Sequence, residues 1–242
     1  PTVAIHAALM PDGEVLSWGG ESFNGGASAN VWNPTTNTFT ATPMSPLDPF
    51  CAGQSFLPDG RLLVSGGHSN FFVGLTEQNI FDSTTNQWSA AAPMTYGRWY
   101  PTNTTLGDGR VLIVSGTTNC QTCYATIPEV YDPATNTMTQ LPGADLSIPM
   151  YPMNFVLPDG RVLSVGTSDI PTGVITRVLD INTQTWSTVD PIAIDGPTAV
   201  MYLPGQVMKP SANTYVLDMS QPSPSWQQTA PMNKPRTLYT NV

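Results

Sequence analysis

FLPDGRLLVSGG, residues 56–67, sets two short apolar runs around Pro58-Asp59-Gly60 and ends in Gly66-Gly67. Asp-Gly tolerates the positive φ of a tight hairpin, so the segment reads as two β-strands joined by a turn. The phrase recurs as LMPDGEVLSWGG (9–20), TLGDGRVLIVSG (105–116) and VLPDGRVLSVG (156–166). Its aspartates, Asp12, Asp59, Asp108 and Asp159, stand 47, 49 and 51 residues apart. A second phrase follows each copy: VWNPTTNTFT (31–40), IFDSTTNQWS (80–89), VYDPATNTMT (130–139) and VLDINTQTWS (178–187). A fifth, VLDMSQPSPSW (216–226), is stretched. Asn-Pro-Thr-Thr-Asn and its variants are turn chemistry between β-rich runs, which makes a second hairpin. Two phrases alternating in phase mark a repeat architecture.

Four strands per unit of roughly 48 residues, Gly-Gly after the second strand, Tyr131-Asp132 in the third, and Trp88 and Trp186 in the fourth resemble the kelch family. The resemblance implies an all-β, kelch-type β-propeller of about five four-stranded blades, over residues 3–45, 50–94, 97–143, 149–190 and 197–232, within one incomplete propeller domain, 1–242. The fifth unit, AVMYLPGQVMKPSANTYVLD (199–218), has Pro204-Gly205 in place of Pro-Asp-Gly and lacks Gly-Gly. A sixth unit starts at PMNKPRTLYTNV (231–242). An open ring leaves unpaired edges. The expectation is therefore the front part of a larger ring, seven-bladed by the family's pattern. Closure of five blades alone, or an open solenoid-like array, are the alternatives.

Composition agrees with many short strands: of 242 residues, 24 are Pro and 20 are Gly, and only 10% are charged. The net charge is −9, with eight Lys and Arg in all. So few scattered cations make no phosphate-tracking stripe, which argues against nucleic acid as a partner. No apolar run reaches 18 residues, so no membrane span is expected. No signal peptide is recognisable, and the chain starts at Pro1 inside a strand-like pattern, as a trimmed or partial chain does.

Counting eight residues back from each turn aspartate finds one equivalent position, the start of the innermost strand, held by Ala4, Cys51, Tyr100 and Tyr151. A cysteine and a tyrosine thus occupy matching places on adjacent blades, facing the mouth of the central channel. Taken alone, such residues are ordinary channel-lining packing. The local motifs add more. Asp48-Pro49-Phe50-Cys51-Ala52-Gly53 and Gly97-Arg98-Trp99-Tyr100-Pro101 resemble the copper-radical oxidases, the galactose oxidase and glyoxal oxidase family. Ala199-Val200-Met201-Tyr202 resembles a later segment of the same family. The resemblance implies a thioether between the Cys51 sulfur and the Tyr100 ring, with Tyr100 as copper ligand and radical site. It implies Tyr202 in the outer shell of the copper, Arg98 or Trp99 in the substrate pocket wall, and a primary alcohol, aldehyde or carbohydrate as substrate. Dioxygen would leave as hydrogen peroxide.

The sequence also departs from that family. The family's adjacent Tyr-His pair falls on PRTLY (235–239), where one register sets Leu238 on the tyrosine and Tyr239 on the histidine. The shifted register sets Tyr239 on the tyrosine, as a second metal ligand, and Thr240 on the histidine. The family's stacking Trp falls near Thr117–Thr118. Copper(II) in nitrogen and oxygen sites takes imidazole, and the chain has two histidines. His6 reads as a structural histidine, and His68, after Gly66-Gly67, as a loop residue.

Three cysteines are present. With Cys51 consumed by the thioether, Cys120 and Cys123 remain as a loop-pinning disulfide, which suits a secreted, extracellular protein. Cys-x-x-Cys is also compatible with a redox motif or half a zinc site, but no second Cys/His pair or βαβ pattern accompanies it. No nucleophile elbow or phosphate loop is found. Asn103-Thr104-Thr105 is a glycosylation sequon. Two functional readings follow: a copper-radical oxidase, or a non-catalytic propeller that binds glycan or protein through its loop face.

Overall fold

The computed structural model describes residues 4–19, 28–43, 48–167, 173–194, 198–210, 213–231 and 233. Five four-stranded antiparallel sheets follow one another along the chain as blades of a partial β-propeller. Blade 1 holds β1 (His6–Leu9), β2 (Val15–Trp18), β3 (Ser28–Asn33) and β4 (Thr38–Pro43). Blade 2 holds β5 (Gly53–Phe56), β6 (Leu62–Ser65), β9 (Gln78–Asp82) and β10 (Gln87–Ala91), with a small hairpin, β7 (His68–Asn70) and β8 (Val73–Gly74), between its second and third strands. Blade 3 holds β11 (Thr102–Thr105), β12 (Val111–Val114), β13 (Glu129–Asp132) and β14 (Thr137–Gln140). Blade 4 holds β15 (Pro152–Val156), β16 (Val162–Thr167), β17 (Val174–Asp180) and β18 (Thr185–Ile194). Blade 5 holds β19 (Val200–Leu203), β20 (Gln206–Lys209), β21 (Tyr215–Asp218) and β22 (Gln227–Gln228). The first strands of blades 2, 3 and 4 are neighbours, β5 against β11 and β11 against β15.

The repeated turn explains the repeated strand pair. Leu57 N–H donates to Arg61 C=O at 2.8 Å, and Gly60 N–H to Leu57 C=O at 2.9 Å. This closes a three-residue loop, Pro58-Asp59-Gly60, in which only the glycine has positive φ, 86°. Asp59 Oδ2 accepts from Arg61 Nε at 2.8 Å, an exposed pair repeated at Asp108–Arg110 and Asp159–Arg161. Such exposed pairs contribute little energy, so the glycine fixes the turn more than the charge does. The second hairpin uses Asn33, Asp82, Asp132 and Asp180, whose Oδ1 accepts the N–H two residues on, at 2.8 to 2.9 Å. Asn37, Asn86, Asn136 and Gln184 then take φ near 55°. In blade 5, Leu203 pairs with Gln206 across Pro204-Gly205, with Gly205 at φ 73°. Proline at the first corner and a left-handed glycine at the second make a shorter turn do the same work.

The second strands of blades 2, 3 and 4 are buried on both faces, which is why they read as near-continuous apolar runs. Leu62 and Val64 pack with Leu16, Trp18 and Val31 of blade 1. Leu63, between them, packs with Val111, Ile113 and Tyr131 of blade 3. Leu112 and Val114 meet Val162 and Leu179 of blade 4. Leu163 and Val165 meet Val207, Leu217 and Trp226 of blade 5. Each fully buried leucine or valine contributes about 1.5–3 kcal/mol, so stability lies between blades rather than within them.

Above the junction of blades 1 to 3, isolated bridges extend the β7–β8 hairpin into a canopy. Asp48 pairs with His68, Leu75 with Arg98, Trp99 with Thr117, Thr117 with Tyr124, and Val73 with Asn119. The layers lie close: a Cβ on Gly67 would collide with the Asp48 carbonyl, and one on Gly74 with the Arg98 backbone.

Candidate functional site

Cys51, Tyr100 and Tyr151 occupy the loop just before each inner strand rather than the strand itself. All three stand in the left-handed region, at φ 57°, 64° and 47°. For bulky residues this conformation is costly, and it persists only where the surroundings dictate it. Here a hydrogen-bond relay from blade to blade does so. Tyr100 N–H donates to Cys51 C=O, and Tyr151 N–H donates to Tyr100 C=O, each at 2.9 Å. The relay starts in blade 1, where Cys51 N–H donates to His6 Nε2 at 2.9 Å. The Tyr151 hydroxyl reaches back across a blade to donate to Ala52 C=O at 3.4 Å.

The aromatic rings continue this chain. Tyr100 stands edge-on to Tyr151 and to Trp99, with centroids 4.6 and 4.5 Å away. Trp99 stacks on His68 at 5.4 Å, and Phe72 meets it edge-on at 5.3 Å. His68 Nε2 lies 3.3 Å from Asp48 Oδ2. Cys51 and Trp99 are both buried. Cys51, Tyr100, Tyr151, Trp99 and both histidines are therefore gathered at one place. Tyr202 lies on β19, three blades on from Cys51, and is 45% exposed. Tyr239, with Leu238 and Thr240, lies outside the described residues.

Arg98, expected with Trp99 in the substrate pocket wall, is wholly buried. Its Nη2 lies 2.9 Å from Glu129 Oε2, and Nη1 and Nη2 donate to the Ser115 and Ile127 carbonyls at 2.7 Å. Burial lowers its pKa and Glu129 opposes that shift. Glu129 and Ser115 are not singled out by the sequence; the only hint is a second acid, beside the turn residue Asp132, on a short strand in a chain poor in charge.

His6 stacks on Trp18 at 4.9 Å, and burial pushes its pKa down from 6.5 to about 4. It is the neutral ring that accepts the Cys51 N–H. Between pH 6.5 and 4 the unfolded chain binds a proton that the folded chain excludes. Stability therefore falls as pH falls through that window, by up to about 3 kcal/mol, and is unaffected above it. Denaturant midpoints measured from pH 7 to 4 should show this loss in the parent and a smaller one in His6→Gln.

Cys120 and Cys123 form a disulfide in the canopy loop. Thr118 N–H donates to Cys123 C=O at 2.8 Å, and Gly74 N–H to Thr118 C=O at 3.0 Å. The bridge closes a very short loop, so the paired Cys120→Ser/Cys123→Ser change should cost no more than about 2 kcal/mol. Amide exchange should rise at residues 117–124 and stay unchanged in blade 5. A cavity of about 470 Å³ lies along the inner strands, lined by His6, Gln54, Asn103 and Tyr151 among others. Asn103, half-buried on the cavity wall, donates Nδ2 to Ser65 Oγ at 2.8 Å.

Copper(II) with nitrogen and oxygen donors takes imidazole in a near-square array. Nε2 of His6 is taken by the Cys51 N–H, and Nε2 of His68 faces Asp48. Among the described residues, no group of three His, Cys, Asp or Glu converges as a metal site. The described residues thus do not complete a copper site, although the Tyr100 phenol is a suitable donor beside Cys51.

A family model described as glyoxal oxidase N-terminus matches residues 21–169, and the chain belongs to that family. Comparison with curated proteins returned no match. Among solved structures, the chain is similar to a fungal alcohol oxidase described as having catalytic diversity among the AA5 family, in complex with copper. The TM-score is 0.79 at 21% identity, over 98% of this chain and 56% of that one. The chain thus spans a little over half the length of that oxidase, and the likeness establishes a shared fold. Among the described residues, no helix is long and apolar enough to cross a membrane.

Proposed function

We propose that this chain carries the Cys51–Tyr100 half of a copper-radical oxidase site. The observation that supports it is the relay: Tyr100 N–H donates to the Cys51 carbonyl of the adjacent blade, with both residues in the left-handed conformation. Membership of the glyoxal oxidase N-terminus family sets the chemistry to be expected there. Cys51 Sγ joins the Tyr100 ring as a thioether. The thiol hydrogen and one ring hydrogen leave, and dioxygen takes up both with their electrons to become hydrogen peroxide. Tyr100 and Tyr239 are the proposed phenolate ligands of copper, and Tyr202 an outer-shell residue. The substrate is a small primary alcohol, aldehyde or carbohydrate. The Cys120–Cys123 disulfide supports an extracellular location, since such bridges persist in oxidising compartments.

Intact-mass measurement after exposure to Cu(II) and air tests the reading. The expected mass is lower by two hydrogens beyond those lost to the disulfide. A full mass, with the Cys51 thiol titratable after denaturation, overturns it. A second reading, a non-catalytic propeller binding glycan or protein through its loop face, is favoured by one observation: both histidines are already engaged within the fold.

A further inference from the structure

Glu129 opens β13 and is wholly buried. Its Oε1 accepts the Thr95 N–H at 2.7 Å, and its Oε2 accepts Arg98 Nε and Nη2 at 3.3 and 2.9 Å. Arg98 passes this anchorage to the Ser115 carbonyl at 2.7 Å. Ser115 is itself left-handed, at φ 64°, and its hydroxyl donates to the Ile148 and Pro149 carbonyls at 2.5 and 3.1 Å. One buried network therefore grips the residues just before Tyr100 and those just before Tyr151. A buried ion pair contributes little stability compared with apolar residues of the same volume. What it does supply is a fixed direction, because a guanidinium fork bonds its partners in one plane.

We infer that Glu129 is a positioning residue. Through Arg98 it holds the Trp99–Tyr100 turn, and through Ser115 the approach to Tyr151, so that Tyr100 meets Cys51 in the relay. The inference rests on the Cys51–Tyr100 reading for its chemical meaning, but its geometry stands apart from it.

Two variants test it: Glu129→Gln, and the apolar pair Arg98→Met/Glu129→Leu, which keeps the volume and secures a folded protein. Amide exchange reads the geometry. Losing a charge-assisted bond should speed exchange of the Tyr100 and Tyr151 amides at least about tenfold. Blade 1 amides should be unchanged. The two-hydrogen loss on treatment with Cu(II) should slow by a similar factor. If the parent never loses the two hydrogens, the oxidase reading fails while the exchange arm still decides the role of Glu129. Parent-like protection of Tyr100 and Tyr151 in the folded double variant overturns the inference. So does exchange that rises evenly across all blades, which marks a merely structural pair.

Discussion

Cys51→Ser, treated with Cu(II) and air, should lose no hydrogens beyond those of the Cys120–Cys123 disulfide, whereas the parent chain should lose two more. Serine places an oxygen where sulfur stood, and a hydroxyl lacks the thiolate form that makes cysteine the reactive nucleophile. Tyr100→Phe should behave like Cys51→Ser, because an unsubstituted phenyl ring is not activated by a phenolic oxygen. Tyr151→Phe provides the control: it keeps the relay, which uses its backbone N–H, and loses the 3.4 Å hydroxyl contact to Ala52. Its two-hydrogen loss should match the parent's. A Cys51→Ser chain that still lost two hydrogens would move the chemistry to another residue.

Arg98→Ala should be the most destabilising single change in the described chain, costing about 3–5 kcal/mol. Removing the guanidinium leaves the Glu129 carboxylate buried without its cation. It also strips donors from the Ser115 and Ile127 carbonyls. For a chain of this size that is roughly a 10 °C fall in Tm. Arg98→Met/Glu129→Leu removes both charges together and should recover most of the loss, because no uncompensated ion is left in the core. Calorimetry on the two variants separates the cost of orphaning Glu129 from the worth of the pair itself.

The blades were legible because each is dictated locally. A glycine at φ 86° in a Pro-Asp-Gly loop sets a hairpin whatever the rest of the chain does. The same register equated Cys51, Tyr100 and Tyr151 before any coordinates, and the structure sets all three in the same unusual backbone state. The direction of Arg98 was not legible. It lies between β10 and β11, two residues before left-handed Tyr100, where strand alternation no longer says which side chain faces inward. Its partner is 31 residues away, on another strand. Nothing in a single sequence announces a charge pair formed across such a distance. The Asp48–His68 pair was hidden for the same reason, and by the reading of His68 as a loop residue when it begins β7.

The turn aspartates drift apart along the chain, 47, then 49, then 51 residues, yet both backbone links of the relay measure 2.9 Å. The surplus length is therefore absorbed elsewhere, and the β7–β8 hairpin and the Cys120–Cys123 loop are where the chain departs from its four-strand plan. A molecule built this way separates what must stay constant from what is open to change. Residues can be inserted overhead, altering what roofs Trp99 and Tyr100, while the backbone links and the buried Glu129 network below keep Cys51, Tyr100 and Tyr151 in register.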